Sequence, residues 1–287
     1  DTDSNQTKIL KKLLIESIPS IFIENFEFCK KKITGSKFLN KIKYILTSQH
    51  FDTNEYFKFL AAFSILKGCK LYYLQHGNVD CVSKYDDYYN HVETPDLYLS
   101  WGWDENDYHK SFNNEGKIYK FFNLKSSQQK QFTKKNKLEK KIIFFSSALE
   151  SYRHYWNVSY ENKIIFENQF KFLKNLEQKF YKLTTCKLHQ SEKFYYSEFK
   201  KETLKINEKI KISEQHIQSH KLKNILSVYS YDSSGLYEHL CINKPVIAFL
   251  NQYKDNINDF AKEFYDELKH VKILHDSPYE AAKFINF

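Results

Sequence analysis

Apolar positions along this chain follow two rhythms. From 8 to 33 they recur at helical spacing, with Ile9, Leu10, Leu13, Leu14 and Ile18 followed by Phe22 and Phe26, and a lysine-rich turn closes the run. That spacing predicts one amphipathic helix across the segment. The rhythm then shortens to β-like runs at Tyr44–Thr47, Leu71–Leu74, Leu97–Ser100 and Ile118–Phe122, separated by helical or loop stretches. Residues 1–124 therefore read as a first α/β domain. The stretch 125–140, with Ser-Ser-Gln-Gln-Lys-Gln and clustered lysines, has little to bury and reads as a linker.

Beyond the linker the alternation becomes regular. Strand candidates fall at Ile142–Ser146, Leu183–Leu188, Ile210–Ser213, Ile225–Tyr229, Val246–Phe249 and Val271–Leu274. Helical patterns near 160–180, 192–203, 233–242, 257–269 and 278–286 fill the gaps. Short apolar strands alternating with helices specify a parallel sheet covered on both faces, a doubly wound domain over 141–287. Ligands of such sheets bind beyond the carboxyl ends of the strands, so two such domains would face a shared cleft.

Composition narrows the class. The 287 residues hold 41% hydrophobic and 28% charged side chains with only 6 Gly and 4 Pro, which excludes collagen-like and Pro-rich low-complexity chains. Lysine and arginine outnumber the acids 44 to 35, for a net charge of +9, which favours anionic partners such as nucleotides or an anionic membrane face. Arg153 is the only arginine. Nucleic acid is accordingly not expected as a partner, since phosphate and guanine readout leans on arginine forks. Five cysteines, widely spaced and without a CxxC pair, argue against a disulfide framework or zinc site and for a reducing cytosol. No apolar run reaches the ~20 residues that span a bilayer, so a membrane would be met only at its surface. The chain contains no methionine, initiator included, and the first domain is expected to be incomplete.

Chemistry is sought at the strand ends. Ser227-Val-Tyr-Ser-Tyr-Asp-Ser-Ser-Gly runs from a strand into a helix, placing the hydroxyls of Ser233 and Ser234 and the N–H of Gly235 at a helix N-terminus, a ready phosphate site. Glu238, one turn beyond Ser234, is placed to accept from a ribose. The plainer alternative is that Asp232 or Ser233 only caps the helix. His189 ends another strand and, with a pKa near neutrality, is suited to donate to a phosphate. Ser146 and Ser147 repeat the small-residue theme at a third strand end. In the first domain Gln75-His76-Gly77 ends a strand with a glycine that permits a sharp turn and presents His76 as a candidate general base. Glu93 is a second candidate acid or base, with Asp80, Asp86 and Asp87 as alternatives. Trp101 and Trp103 form either a stacking wall for an acceptor or interdomain packing. Walker, GxGxxG, HExxH and GxSxG motifs are all absent from the sequence.

These residues resemble a bacterial family described as transferases of surface-carbohydrate gene clusters. The resemblance rests on Gln75-His76-Gly77, the segment Glu93 to Trp103, Asp232-Ser-Ser-Gly with Glu238 and Asn243-Lys-Pro, and the closing Ile273-Leu-His-Asp-Ser-Pro-Tyr-Glu. It covers about residues 40 to 286. Family members often carry a second glycine after Gln-His-Gly, where this chain has Asn78. More distantly, the second domain is similar to GT-B sialyl- and Kdo-type transferases, whose His-Pro and Ser-Ser/Thr motifs His189 and Ser233-Ser234 match in place, with Gln190 in the proline position. It also resembles teichoic-acid glycerol-phosphate polymerases through His76-Gly77 and Tyr231-Asp-Ser-Ser with Lys244-Pro245.

The resemblance implies a GT-B-like α/β protein of two Rossmann-type domains, with acceptor on the first and nucleotide donor on the second. It implies a metal-independent glycosyltransferase that uses no cofactor beyond its nucleotide-sugar substrate. A nonulosonate or Kdo-like acid would pass from a CMP donor to a glycan or lipid-linked glycan at the anionic inner leaflet. Two alternatives stay open: an alditol-phosphate transferase of the CDP-glycerol type, and a non-catalytic nucleotide-sugar-binding protein.

Overall fold

The computed structural model describes residues 4–78, 80, 82, 89–107, 117–128, 139–146, 159–188, 196–213, 225–250 and 257–287. The chain divides into two compact units. One comprises Asp1–His76, Asn90–Ser100 and Phe112–Tyr119. The other comprises Gly77–Tyr89, Trp101–Ser111 and Lys120–Phe287, so two excursions from the N-terminal half belong to the second unit.

The first unit opens with helices α1 (Asn5–Ser17) and α2 (Phe26–Thr34), joined by a 3₁₀ turn at Ser20–Phe22. The sequence predicts one continuous helix here, and Pro19 is what divides it. A proline pushes its predecessor out of the helical region, and Ile18 is indeed extended at φ −74°, ψ 128°. Helix α2 buries Cys29 and Ile33 against Leu39 and Phe59. The four-stranded sheet follows in the order β1 (Tyr44–Thr47), β2 (Lys70–Leu74), β3 (Leu97–Ser100), β4 (Ile118–Lys120), with β1, β2 and β3 parallel. Between them lie α3 (His50–Thr53), α4 (Glu55–Ile65) and α5 (Tyr89–Glu93). Asn54 caps α4 by accepting from the Phe57 N–H at 3.0 Å.

In the second unit the predicted strands appear as β5 (Ile142–Phe145), β6 (Thr184–Lys187), β7 (Lys211–Ser213), β8 (Leu226–Tyr229) and β9 (Val246–Phe249). The last strand, β10, is shifted to Leu274–His275. Val271 and Lys272 are used instead to stop a helix. Lys272 takes φ 60°, its N–H reaches the Lys269 carbonyl and the Ile273 N–H reaches the Leu268 carbonyl, the paired bonds of a Schellman motif. Part of the predicted linker is likewise helical, as α6 (Leu124–Ser127), while 129–138 lies outside the described residues.

The six strands lie in the order β10-β9-β8-β5-β6-β7, every neighbouring pair parallel. Numbered within the unit, this is the 3-2-1-4-5-6 winding of dinucleotide-binding sheets, which reverses direction between β5 and β8. Helices α7 (Ser159–Asn175), α8 (Gln178–Tyr181), α9 (Tyr196–Ile206), α10 (Ser234–Cys241), α11 (Asp259–His270) and α12 (Pro278–Asn286) complete the unit.

Alternating side chains split the core into two layers. Phe144, Val228, Ile247 and Phe249 face α7, α9 and α12 through Phe172, Phe199 and Ala281. Tyr229, Val246 and Ala248 face α10 and α11 through Leu236, Ala261 and Tyr265. Phe144 stacks on Phe172 at 5.1 Å and lies 6.3 Å from Phe249, an aromatic column through the sheet centre. Asn286 fastens the last helix by accepting from the Glu177 N–H and donating to the Asn175 carbonyl, both at 2.9 Å.

Candidate functional site

The winding reversal makes the ends of β5 and β8 the place where a doubly wound sheet presents ligands. There the Ser230 hydroxyl donates to the Phe145 carbonyl at 3.3 Å, fastening one strand end to the other. The chain then turns through Tyr231 and Asp232 into α10. Ser233 is its N-cap, extended at φ −138°, ψ 139°, and its Oγ accepts from the Gly235 N–H at 3.2 Å. The capping alternative thus holds for Ser233, and it coexists with the helix-start geometry that receives anions.

Gly235 is required by close approach. A Cβ there would lie 2.9 Å from the Tyr229 hydroxyl and 3.3 Å from its ring. Tyr229 is buried beneath the helix start, stacked on Phe145 at 4.6 Å with rings 3° from parallel, and its hydroxyl sits 3.3 Å from His239 Nδ1. Burial, with Tyr231 and Glu238 adding their fields, pushes the Tyr229 phenol well above its usual range, so it is a neutral hydrogen-bonding group.

Asp232 is buried and turned into the unit. Tyr237 donates to it at 2.8 Å and Tyr265 at 2.6 Å, and the two phenol oxygens also contact each other. Burial raises the Asp232 carboxyl above the usual carboxylate range, against the opposing pull of Tyr265, Tyr237 and Asn78. Asp232 is thereby tied down by phenols rather than presented at the helix start.

Asn78, which the sequence marked only as a departure from a glycine, belongs to this unit and joins the turn. Its Oδ1 accepts from the Ser234 hydroxyl at 3.2 Å, across 156 residues. It is 8% exposed, and its buried Nδ2 has no partner at hydrogen-bond geometry but stands toward the Asp232 carboxyl, whose pKa it lowers. The side chain also lies beside a hydroxyl and the dipole of an eight-residue helix. Sequence reasoning missed Asn78 because its motif sits among first-domain strands. It missed Tyr229, Tyr237 and Tyr265 because tyrosine is common throughout, with 22 in the chain.

Glu238 stands half-buried one turn along α10. At the far end, Asn243 adopts φ 55°, with its N–H on the Leu240 carbonyl and the Lys244 N–H on the His239 carbonyl, both at 2.9 Å. Asn243-Lys-Pro is therefore a Schellman stop followed by a residue that cannot continue a helix. Ser277 caps α12 through the Glu280 N–H at 3.1 Å, with Pro278 in the first turn, so Asp-Ser-Pro-Tyr-Glu is a helix start. Ser146 is buried at the end of β5, where its hydroxyl and N–H both turn to the Lys187 carbonyl at 3.3 and 3.0 Å. Ser147 and His189 lie outside the described residues, as do Asp86 and Asp87.

In the first unit, β2 ends in buried Gln75, whose N–H donates to the Leu99 carbonyl at 3.0 Å, followed by exposed His76. Glu93 closes α5, where Lys117 donates to its backbone carbonyl at 2.7 Å and stands 3.9 Å from its carboxylate. Asp96 binds β3 to β2, accepting from Lys70 at 2.7 Å and from the Leu71 N–H at 2.9 Å. Burial alone would raise its carboxyl, but the Lys70 ammonium, the Leu71 N–H and Lys117 outweigh it and hold the group below the usual range. Gly77, Trp101 and Trp103 belong to the second unit. Trp103 is buried and Trp101 half-buried beside Gly102 at φ 101°. Asp80, also in the second unit, is buried.

The protein is thus an α/β molecule with two parallel sheets, the larger wound as nucleotide-binding sheets are, with a polar helix start at its switch point. The whole chain, residues 1–287, matches the model of the LIC12162 family transferase, and the protein belongs to that family of transferases. No curated protein matches the chain. Among the described residues, no helix is long and apolar enough to cross a membrane.

Proposed function

We propose that this transferase is a glycosyltransferase of the GT-B type, moving a nonulosonate or Kdo-like sugar from a CMP donor to a growing surface glycan. The observation that carries the reading is the turn at the switch point. Ser234, at the start of α10, donates to Asn78 Oδ1, while the buried Asn78 Nδ2 stands toward Asp232, itself held by two tyrosines.

In this mechanism the donor phosphate rests at the α10 N-terminus, where the helix dipole offsets its charge and the Ser234 hydroxyl turns from Asn78 Oδ1 to donate to it. Glu238 receives the ribose hydroxyls one turn further on. His189, which follows β6 in sequence, is assigned to donate to the phosphate, and Ser146 and Ser147, which follow β5, are assigned to the nucleotide. The acceptor hydroxyl attacks the anomeric carbon as the bond from that carbon to the phosphate oxygen breaks. Its proton passes to His76 or Glu93, and CMP leaves with the bonding pair. The helix dipole, fixed at the leaving phosphate, acts without reorganisation, which is the term that contributes most in such sites. Gln75, Gly77, Trp101 and Trp103 are assigned to the acceptor. That acceptor is a lipid-linked glycan at the anionic inner leaflet, which the +9 charge favours.

The test is calorimetric binding of CMP, CDP, UDP, GDP and ADP to the protein and to a Ser234→Ala variant. Selective cytidine binding, weakened by about 10-fold or more in the variant as loss of a charge-assisted hydrogen bond requires, supports the reading. Preference for UDP or GDP discards the CMP donor. Absence of nucleotide binding by the folded protein removes the donor site altogether.

A further inference from the structure

Helix α1 does no packing work for the unit that carries it. None of its 13 residues is buried. Ile9, Leu10, Leu13, Leu14 and the capping Ile18 are between 43 and 62% exposed. At ~100° per residue Ile9, Leu10, Leu13 and Leu14 fall within one ~140° arc with Ile18 at its edge, and Lys8 and Lys12 lie on the opposite side, where exposed Ile15 sits between them and Lys11. The neighbouring segment is different: Phe22 stacks on Phe59 at 5.1 Å, and Cys29 and Ile33 are buried. The chain is thus anchored from the 3₁₀ turn onward, and the amphipathic helix before it presents its apolar face to solvent.

Charge identifies what covers that face. Residues 4–43 hold nine lysines against three glutamates, six of the nine net positive charges of the whole chain within forty residues. A second copy would bring the same positive surface against itself. An anionic lipid surface meets both properties, taking apolar side chains into the acyl boundary and lysines at the headgroups. At ~1.5 Å per residue the helix is ~20 Å long, suited to lie in the interface and too short to cross.

We infer that α1 is a membrane-surface helix that docks this protein on an anionic bilayer through Ile9, Leu10, Leu13, Leu14 and Ile18. The inference deepens the membrane-side part of the proposed function. Because it is read without donor, acceptor or turnover, its failure is distinct from failure of the nucleotide site.

The test is co-sedimentation with phosphatidylcholine vesicles, with and without phosphatidylglycerol, for the full chain and a Leu10→Glu/Leu14→Glu variant. The expected result is at least a 10-fold preference for the phosphatidylglycerol vesicles, weakened by added salt and abolished in the variant. Because both leucines are exposed, the variant should keep the circular dichroism and melting temperature of the parent, which separates lost docking from lost folding. Equal binding to both vesicles, or undiminished binding by the folded variant, overturns the inference. So does concentration-dependent dimerisation that the variant abolishes, which would assign the face to a second copy.

Discussion

The carboxyl ends of β2 and β8 carry comparable sequence signals, yet the structure treats them differently. At β8, Asp232, Ser233, Ser234 and Gly235 are over-determined: each hydroxyl or carboxylate has a named partner, and the glycine is demanded by the Tyr229 ring. At β2, Gln75 is held by the sheet while His76 is exposed at the next position. Under the proposed roles, the groups that hold the donor are made rigid by their surroundings, and the group that meets the acceptor stands at the surface.

Substitutions that break this contrast are ordered by the packing they disturb. The largest effect is expected at Gly235→Ala, which overpacks the helix start against Tyr229 and costs about 1–3 kcal/mol in chemical denaturation. Adding Tyr229→Phe removes the hydroxyl at 2.9 Å and should restore part of that loss. If Gly235→Ala leaves stability unchanged, the close approach is not a constraint. Next is Asp96→Ala, which strips β2 of a carboxylate accepting from Lys70 and from a backbone N–H, for roughly 1–2 kcal/mol. Glu93→Gln should move stability less than this, since its Lys117 partner stands 3.9 Å away.

A smaller effect follows from His275 at the end of β10. It is buried with Nε2 unpartnered, and its ring lies 5.1 Å from Phe284 at a 47° tilt. Burial lowers its pKa below the usual 6.5, outweighing the opposing pull of Glu280. The unfolded chain therefore binds this proton more tightly. Stability from His275 is complete above pH ~6.5 and is lost as pH falls through the folded-state value. Melting curves between pH ~7 and ~5 should show a downward slope that His275→Gln flattens, and an unchanged slope would assign the loss to other groups. The smallest stability effect is expected at His76→Ala, within about 0.5 kcal/mol, while transfer activity should fall at least 100-fold if His76 is the base. A fall in stability above 1 kcal/mol would instead make His76 part of the β2 scaffold.

Much of the second sheet was legible in the residues, because strands such as Ile142–Phe145 and Val246–Phe249 are apolar on both faces and flanked by helical periodicity. What escaped were features that depend on polarity at one atom or on distant chain. Pro19 outranked a continuous helical rhythm, and Val271–Lys272 read as strand although a positive φ makes them a helix stop. Asn243-Lys-Pro and Ser277-Pro-Tyr-Glu, which carry the family resemblance, are the end of one helix and the start of another, where the helical patterns at 233–242 and 278–286 place them. Asn78 was invisible as a partner of Ser234, since nothing local to either residue encodes a bond across 156 positions.

That long bond has a consequence for assembly. The turn at α10 draws on Asn78, on Phe145 through Ser230, and on Tyr265 through Asp232, separations of 156, 85 and 33 residues. No early product of synthesis contains all of these, and contacts so far apart in sequence form late in folding. The turn they shape is therefore a readout of completed folding, complete only when the second unit has been made and its central strands have paired.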